Sequence, residues 1–168
     1  MKLLFCYQNN NLIRKSSFFV LLQKVAVNDL GQNKMEQSIV IKRLQESSTE
    51  ENLWQAIIAF QGYPFKTASG LPFQYQLKVG RDGNFNRELL IDRREHSKTL
   101  SWSSLRLAFE RALVIQETVD RPKALGDIRG ISYIYPLLWK FGLIQVPEEI
   151  AEKMIGNESK NEQKKNTM

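Results

Sequence analysis

Between Phe65 and Leu113 the hydrophobic pattern changes from strand period to helix period, and the rest of the chain is organised around that stretch. Phe73, Tyr75, Leu77 and Val79 alternate with Gln74, Gln76 and Lys78, the period of a strand with one wet face. Arg81-Asp82-Gly83-Asn84 follows, a turn signal because Asp-Gly and Asn tolerate positive φ. The return run puts Leu89 and Ile91 on one face and Glu88, Leu90 and Asp92 on the other. Leu105, Ala108, Phe109, Ala112 and Leu113 then repeat at helical spacing, with Thr99 or Ser101 as the N-cap and Arg106 and Arg111 on the exposed side.

The flanking segments fit around this unit. Ser48 and Glu51 have capping-box spacing ahead of Leu53, Trp54, Ile57 and Ile58, which predicts a helix over residues 49–60 that stops at Gly62. Trp54 reads as core. Phe65–Ala68 predicts a short edge strand, closed by the Ser69-Gly70 turn. Ser132 is placed to cap a helix running to Phe141, with Pro136 in its first turns. In it Tyr133, Tyr135 and Trp139 read as packing residues, with base stacking as the alternative. Leu143–Val146 reads as a last short strand. Residues 36–45 fit a strand or a helix equally. Phe18, Leu21, Leu22 and Val25 would give a helix an apolar face. Translation from Met35 is an equal reading, under which the preceding residues have no selected fold.

The predicted fold class is α+β. A small, mainly antiparallel sheet of three to four strands carries about three helices on one face, leaving the other face open. The expected organisation is an N-terminal extension over residues 1–48, a single domain over 49–150 and a disordered polar tail over 151–168.

Charge and chemistry narrow the function classes. The chain has 168 residues and a net charge of +6. Most of that excess lies from Gly62 to Gly142, with 13 Lys/Arg against 8 Asp/Glu. Such a balance leans toward acidic partners, while solvated surface charge explains it equally simply. One cysteine, Cys6, excludes an intramolecular disulfide and fits a reducing compartment, so the expected location is the cytoplasm. With one histidine, His96, a zinc site would need mainly carboxylates. Residues 17–27 are about half the length of a spanning helix, so no membrane span is expected. GxxxxGK[ST] and GxGxxG are both missing, and no metal or cofactor is expected.

Three functions follow as expectations. The first is non-catalytic binding of a nucleic-acid backbone by Arg93, Arg94, Lys98, Ser101 and Arg106 where the return strand enters the helix, with Lys78, Arg81 and Arg87 along the hairpin. The second is a protein-interaction module. The third is a small metal-dependent nuclease, which would need Glu88 and Asp92 to converge with a lysine. Oligomeric state is left open.

Three words of the sequence carry a resemblance. They are Gly70-Leu71-Pro72-Phe73-Gln74-Tyr75-Gln76-Leu77-Lys78, then Ser97-Lys98-Thr99-Leu100-Ser101, then Pro122-Lys123-Ala124-Leu125-Gly126 followed by Gly130-Ile131-Ser132-Tyr133-Ile134-Tyr135-Pro136. Over residues 53–144 the chain resembles a family of short bacterial proteins that share GLPFxYxIK, SKSITxSTV and GPKxLG…GxSYxYP. Arg121 stands where that pattern has glycine. The resemblance implies a single domain with added ends and implies no particular activity.

Overall fold

The computed structural model describes residues 33–92 and 98–155. The apolar segment at 17–27, residues 93–97 and residues 156–168 lie outside the described residues. The chain divides into two compact units, residues 1–39 and 40–168. In the first, residues 33–39 are helical.

Four strands form an antiparallel meander in the order β1 (Phe65–Lys66), β2 (Pro72–Val79), β3 (Phe85–Asp92) and β4 (Lys98–Ser101). Tyr75 pairs with Ile91, and Leu77 with Leu89, which in turn pairs with Leu100. Strand side chains alternate, so this register gathers Phe73, Tyr75, Leu77, Leu89, Ile91 and Leu100 on one buried face. The other face carries Gln74, Gln76, Lys78, Glu88, Leu90, Asp92, Thr99 and Ser101, all exposed or half-exposed. The β2–β3 turn has the expected chemistry. Gly83 sits at φ 79°, and Asp82 accepts hydrogen bonds from the Asn84 backbone N–H and side-chain amide.

Five helices complete the α+β fold. These are α1 (residues 40–46 of the second unit), α2 (Glu50–Ala59), α3 (Trp102–Val114), α4 (Ile131–Lys140) and α5 (Glu148–Ile155), with a 3-10 turn at Pro122–Leu125. That is two more than the pattern suggests. Residues 40–46 resolve as helix because Val40, Ile41 and Leu44 share a face on the core, with Leu44 fully buried. Residues 148–155 look like polar tail, yet Ile150 and Met154, four apart, turn inward. The ordered core therefore draws on residues either side of 49–150.

Other boundaries move for local reasons. Thr49, rather than Ser48, caps α2 by accepting from the Asn52 N–H, while the Ser48 hydroxyl turns back to donate to the Leu44 carbonyl. Lys98–Ser101 is not part of a helix-entry loop but the fourth strand, so β3 and α3 are separated by a hairpin. Helix α4 begins one residue ahead of Ser132, with Gly130 in the N-cap position at φ 79°. A Cβ there would come within 2.5 Å of Leu100 Cδ1, so the glycine lets α4 start against β4. The segment at 143–146 forms no ladder. The Val119 N–H donates to the Gln145 carbonyl, one bond where a strand needs a series. Leu113 is exposed, because the buried stripe of α3 is Leu105, Ala108, Phe109 and Ala112.

Two buried tyrosines tie layers together. The Tyr75 hydroxyl donates to the Ile57 carbonyl at 2.7 Å, in the last turn of α2, where carbonyls lack helical partners. Tyr135 donates to the Val119 carbonyl at 2.6 Å. Tyr133 packs edge-on against Phe73. Tyr133 and Tyr135 are thus packing residues.

Candidate binding surface

The six described basic and hydroxyl positions, Lys78, Arg81, Arg87, Lys98, Ser101 and Arg106, do not form one group. Arg93 and Arg94 lie outside the described residues. Lys98 marks the loop end of the sheet, opposite Ile91, and Arg81 marks the hairpin end, beyond Phe85. Those ends are six β3 residues apart, roughly 20 Å at strand rise. Ser101 spends its hydroxyl on capping α3, accepting from the Ser104 N–H. Lys78 faces Glu88 at 3.7 Å across the open sheet face, and Arg106 faces Glu110 at 3.5 Å along α3. Both are exposed pairs, worth little to stability.

Arg87 has the most developed surroundings. It lies on the helix side of β3 near the hairpin end, and its Nη1 donates to Glu50 Oε1 at 2.8 Å. Its guanidinium carbon sits 5.1 Å from the Trp102 ring centre and 5.6 Å from that of Trp54. The two indoles meet edge to face at 5.2 Å. The Trp102 indole N–H also donates to Glu50 Oε1, at 2.6 Å. That hydrogen bond, then the charges of Arg106 and Arg87, holds the Glu50 carboxyl below its ordinary pKa. Glu50 and Trp102 stand at the first positions of α2 and α3, so the cluster ties two helix starts to one strand. Sequence reasoning read Trp54 as core and missed Glu50 and Trp102. The available signal was an acid and an indole, each directly after a capping hydroxyl residue.

Beside this cluster the sheet runs out from under its helices. Val79 and Phe85 are cross-strand partners at the hairpin end of the ladder, beyond a register shift between Leu77 and Val79. They remain 57% and 41% exposed. β4 reaches only as far as Glu88, through its pairing with Ser101, so Phe85–Arg87 have no strand on that side among the described residues. The opposite edge of β2 is closed by Phe65, by the Gly62 N–H on the Tyr75 carbonyl and by the Gln61 side chain on the Leu77 N–H. The sheet therefore has one open apolar corner, formed by Val79 and Phe85 beside Arg87.

The open sheet face offers no stacking platform, because the β2 aromatics Phe73 and Tyr75 point to the core. Glu88 and Asp92 share that face but stand four residues apart, roughly 13 Å along the strand, too far to share a metal ion. Among the described residues no three His, Cys, Asp or Glu side chains group as metal ligands, and no helix is long and apolar enough to cross a membrane. Comparison with known proteins identifies no matching family model, no similar curated protein and no similar solved structure.

Proposed function

We propose that this chain is a non-catalytic binding protein that engages a protein partner through the hairpin corner of its sheet. One observation carries the reading. Val79 and Phe85 pair at the hairpin end of the sheet and both stay exposed. Paired aromatic and β-branched side chains beside a tryptophan-packed arginine have the composition of an interaction centre. A backbone edge at Phe85–Arg87 adds strand-type hydrogen-bonding capacity. The lone cysteine supports a reducing, cytoplasmic setting for such a partner.

Photo-crosslinking from position 79 in the full chain, inside source cells, tests this. A discrete crosslinked protein is expected, with its yield unchanged when lysates are adjusted to high salt after capture. Phe85→Glu should abolish the crosslink while the chain stays cooperatively folded, with a urea midpoint lowered less than in Trp102→Ala, since Phe85 is exposed. The reading fails if no discrete adduct forms, or if Phe85→Glu crosslinks as well as the parent.

A second reading, polyanion binding, is supported by the +6 charge and by Arg81 and Lys98, which are exposed and enter none of the ion pairs described. Anisotropy with duplex DNA, single-stranded DNA and RNA across a salt series separates the two. On the protein-partner reading, any nucleic-acid binding is weak and unaffected by Phe85→Glu. Tight, steeply salt-dependent binding that Arg81→Glu/Lys98→Glu removes would favour the second reading.

A further inference from the structure

We propose that Trp54, Trp102, Glu50 and Glu51 form a guanidinium site that the chain's own Arg87 fills, and that an arginine side chain of a second polypeptide takes Arg87's place there. The site flanks the hairpin corner and does not depend on a partner engaging Val79 and Phe85.

The groups around Arg87 are those that recognise a guanidinium. Its central carbon lies 5.1 Å from the Trp102 ring centre and 5.6 Å from that of Trp54, within cation–π range of both. Its Nη1 donates to Glu50 Oε1 at 2.8 Å, and its Nη2 lies 3.7 Å from Glu51 Oε2. Two aromatic faces and two carboxylates thus serve one cation. A guanidinium is flat and carries five N–H donors in its plane, so it stacks and donates at once. A lysine ammonium is a compact point charge and cannot use the same geometry.

The site stands without Arg87. Trp54 is buried in the core, and Trp102 meets it edge to face at 5.2 Å. The Trp102 indole N–H holds Glu50 Oε1 at 2.6 Å. None of these contacts passes through Arg87, which reaches in from β3, while the other four residues belong to α2 and the start of α3. Removing the Arg87 side chain therefore leaves the recognising groups preorganised, the condition under which a small group binds usefully.

Arg87 is also replaceable. Its side chain is 44% exposed, and exchanging one guanidinium for another conserves the contacts. Glu51 is exposed and Glu50 half-exposed, so an incoming cation has a route to both carboxylates. Charge favours its arrival, because two carboxylates share Arg87 and the neighbouring Arg106 faces Glu110 at 3.5 Å. The same charge selects arginine within a polypeptide over free arginine, whose α-carboxylate would be brought toward the two glutamates. Arg87 acts as a tethered competitor, with an effective concentration on the order of millimolar or above. The native chain is then expected to bind an external arginine weakly, with Arg87 setting the threshold.

The test is an NMR titration of the indole N–H signals of the full chain with acetyl-Gly-Arg-Gly-amide, its lysine counterpart and free arginine. In Arg87→Ala the Trp102 signal should move saturably with the arginine peptide, with a dissociation constant on the order of 1 mM. The parent should bind the same peptide at least ~10-fold more weakly, because Arg87 competes. The lysine peptide and free arginine should both bind Arg87→Ala more weakly than the arginine peptide. Adding Trp102→Ala to Arg87→Ala should abolish the response, read at the Trp54 signal. Arg87→Gln repeats the titration with a longer side chain and keeps the test available should Arg87→Ala fold poorly. No saturable shift in folded Arg87→Ala or Arg87→Gln overturns the proposal. Equal binding of the lysine peptide would reduce the site to general charge attraction, and equal binding by the parent would remove Arg87 as the resident occupant. Free arginine binding as tightly as the peptide would overturn the polypeptide as the source.

Discussion

Tyr75→Ala is expected to leave the chain close to its unfolding threshold, with a loss of about 3–5 kcal/mol against a typical domain stability of about 5–15 kcal/mol. Tyr75 is fully buried at the centre of β2, stacked with Phe65 at 5.9 Å. Truncation would open a cavity beneath α2. Tyr75→Phe separates the two contributions, because it keeps the ring and removes only the hydroxyl. The Ile57 carbonyl would then be left buried without the Tyr75 bond, at a cost of about 1–3 kcal/mol. Urea midpoints of the three proteins give both values. If Tyr75→Phe is neutral, the hydroxyl does not hold α2 to the sheet.

The same tyrosines predict an alkaline limit. Burial pushes the Tyr75 phenol well above its ordinary value of 10.0 and the Tyr135 phenol up to about 12. A raised pKa means that the folded state holds its proton longer than the unfolded state. The associated stability is therefore complete below about pH 10 and is lost as pH rises through 12. Tyr75→Phe should flatten that decline, as read from thermal melts between pH 9 and 12.

The sheet centre was legible because period-two alternation and Asp-Gly turn chemistry are local signals. Phe73, Tyr75 and Leu77 are buried as their spacing requires. β4 was not legible. Lys98–Ser101 contains one inward residue, Leu100, and four residues next to a helix cap read as the approach to that cap. Its strand character comes from pairing with Glu88–Ile91, a tertiary fact. That missed strand also explains why the basic positions do not assemble. Its antiparallel pairing carries the start of α3 back to Glu88, away from Lys98 opposite Ile91. Helix α1 stayed undecided between strand and helix, and α5 was read as the approach to a polar tail, because their inward faces acquire meaning only once a core exists. The Arg87 cluster joins residues 37 and 52 positions apart in sequence, which no local period encodes.

Trp102→Ala is expected to cost about 2–3 kcal/mol, below the range for a fully buried tryptophan because Trp102 is half-exposed. The ring supplies an edge contact to Trp54, a platform for Arg87 and a donor for Glu50. Trp102→Phe keeps much of the packing and removes the donor, so it should cost less. In Trp102→Phe, replacing Glu50 by glutamine should matter less than in the parent, because their hydrogen bond is already gone. The carboxyl has a lowered pKa, so its contribution is present above its ordinary value of 4.5 and fades as pH falls through the folded value. Acid melts should therefore separate Glu50→Gln from the parent above that range and converge below it. These outcomes also decide what the cluster does for the neighbouring corner. As a clasp, it holds two helix starts on β3, so its loss lowers stability and, if the proposed corner binds a partner, lowers capture together with it. Trp102→Ala with an unchanged urea midpoint and no partner capture would make Trp102 itself part of the contact surface, and the binding corner would then extend from Val79 across to α3.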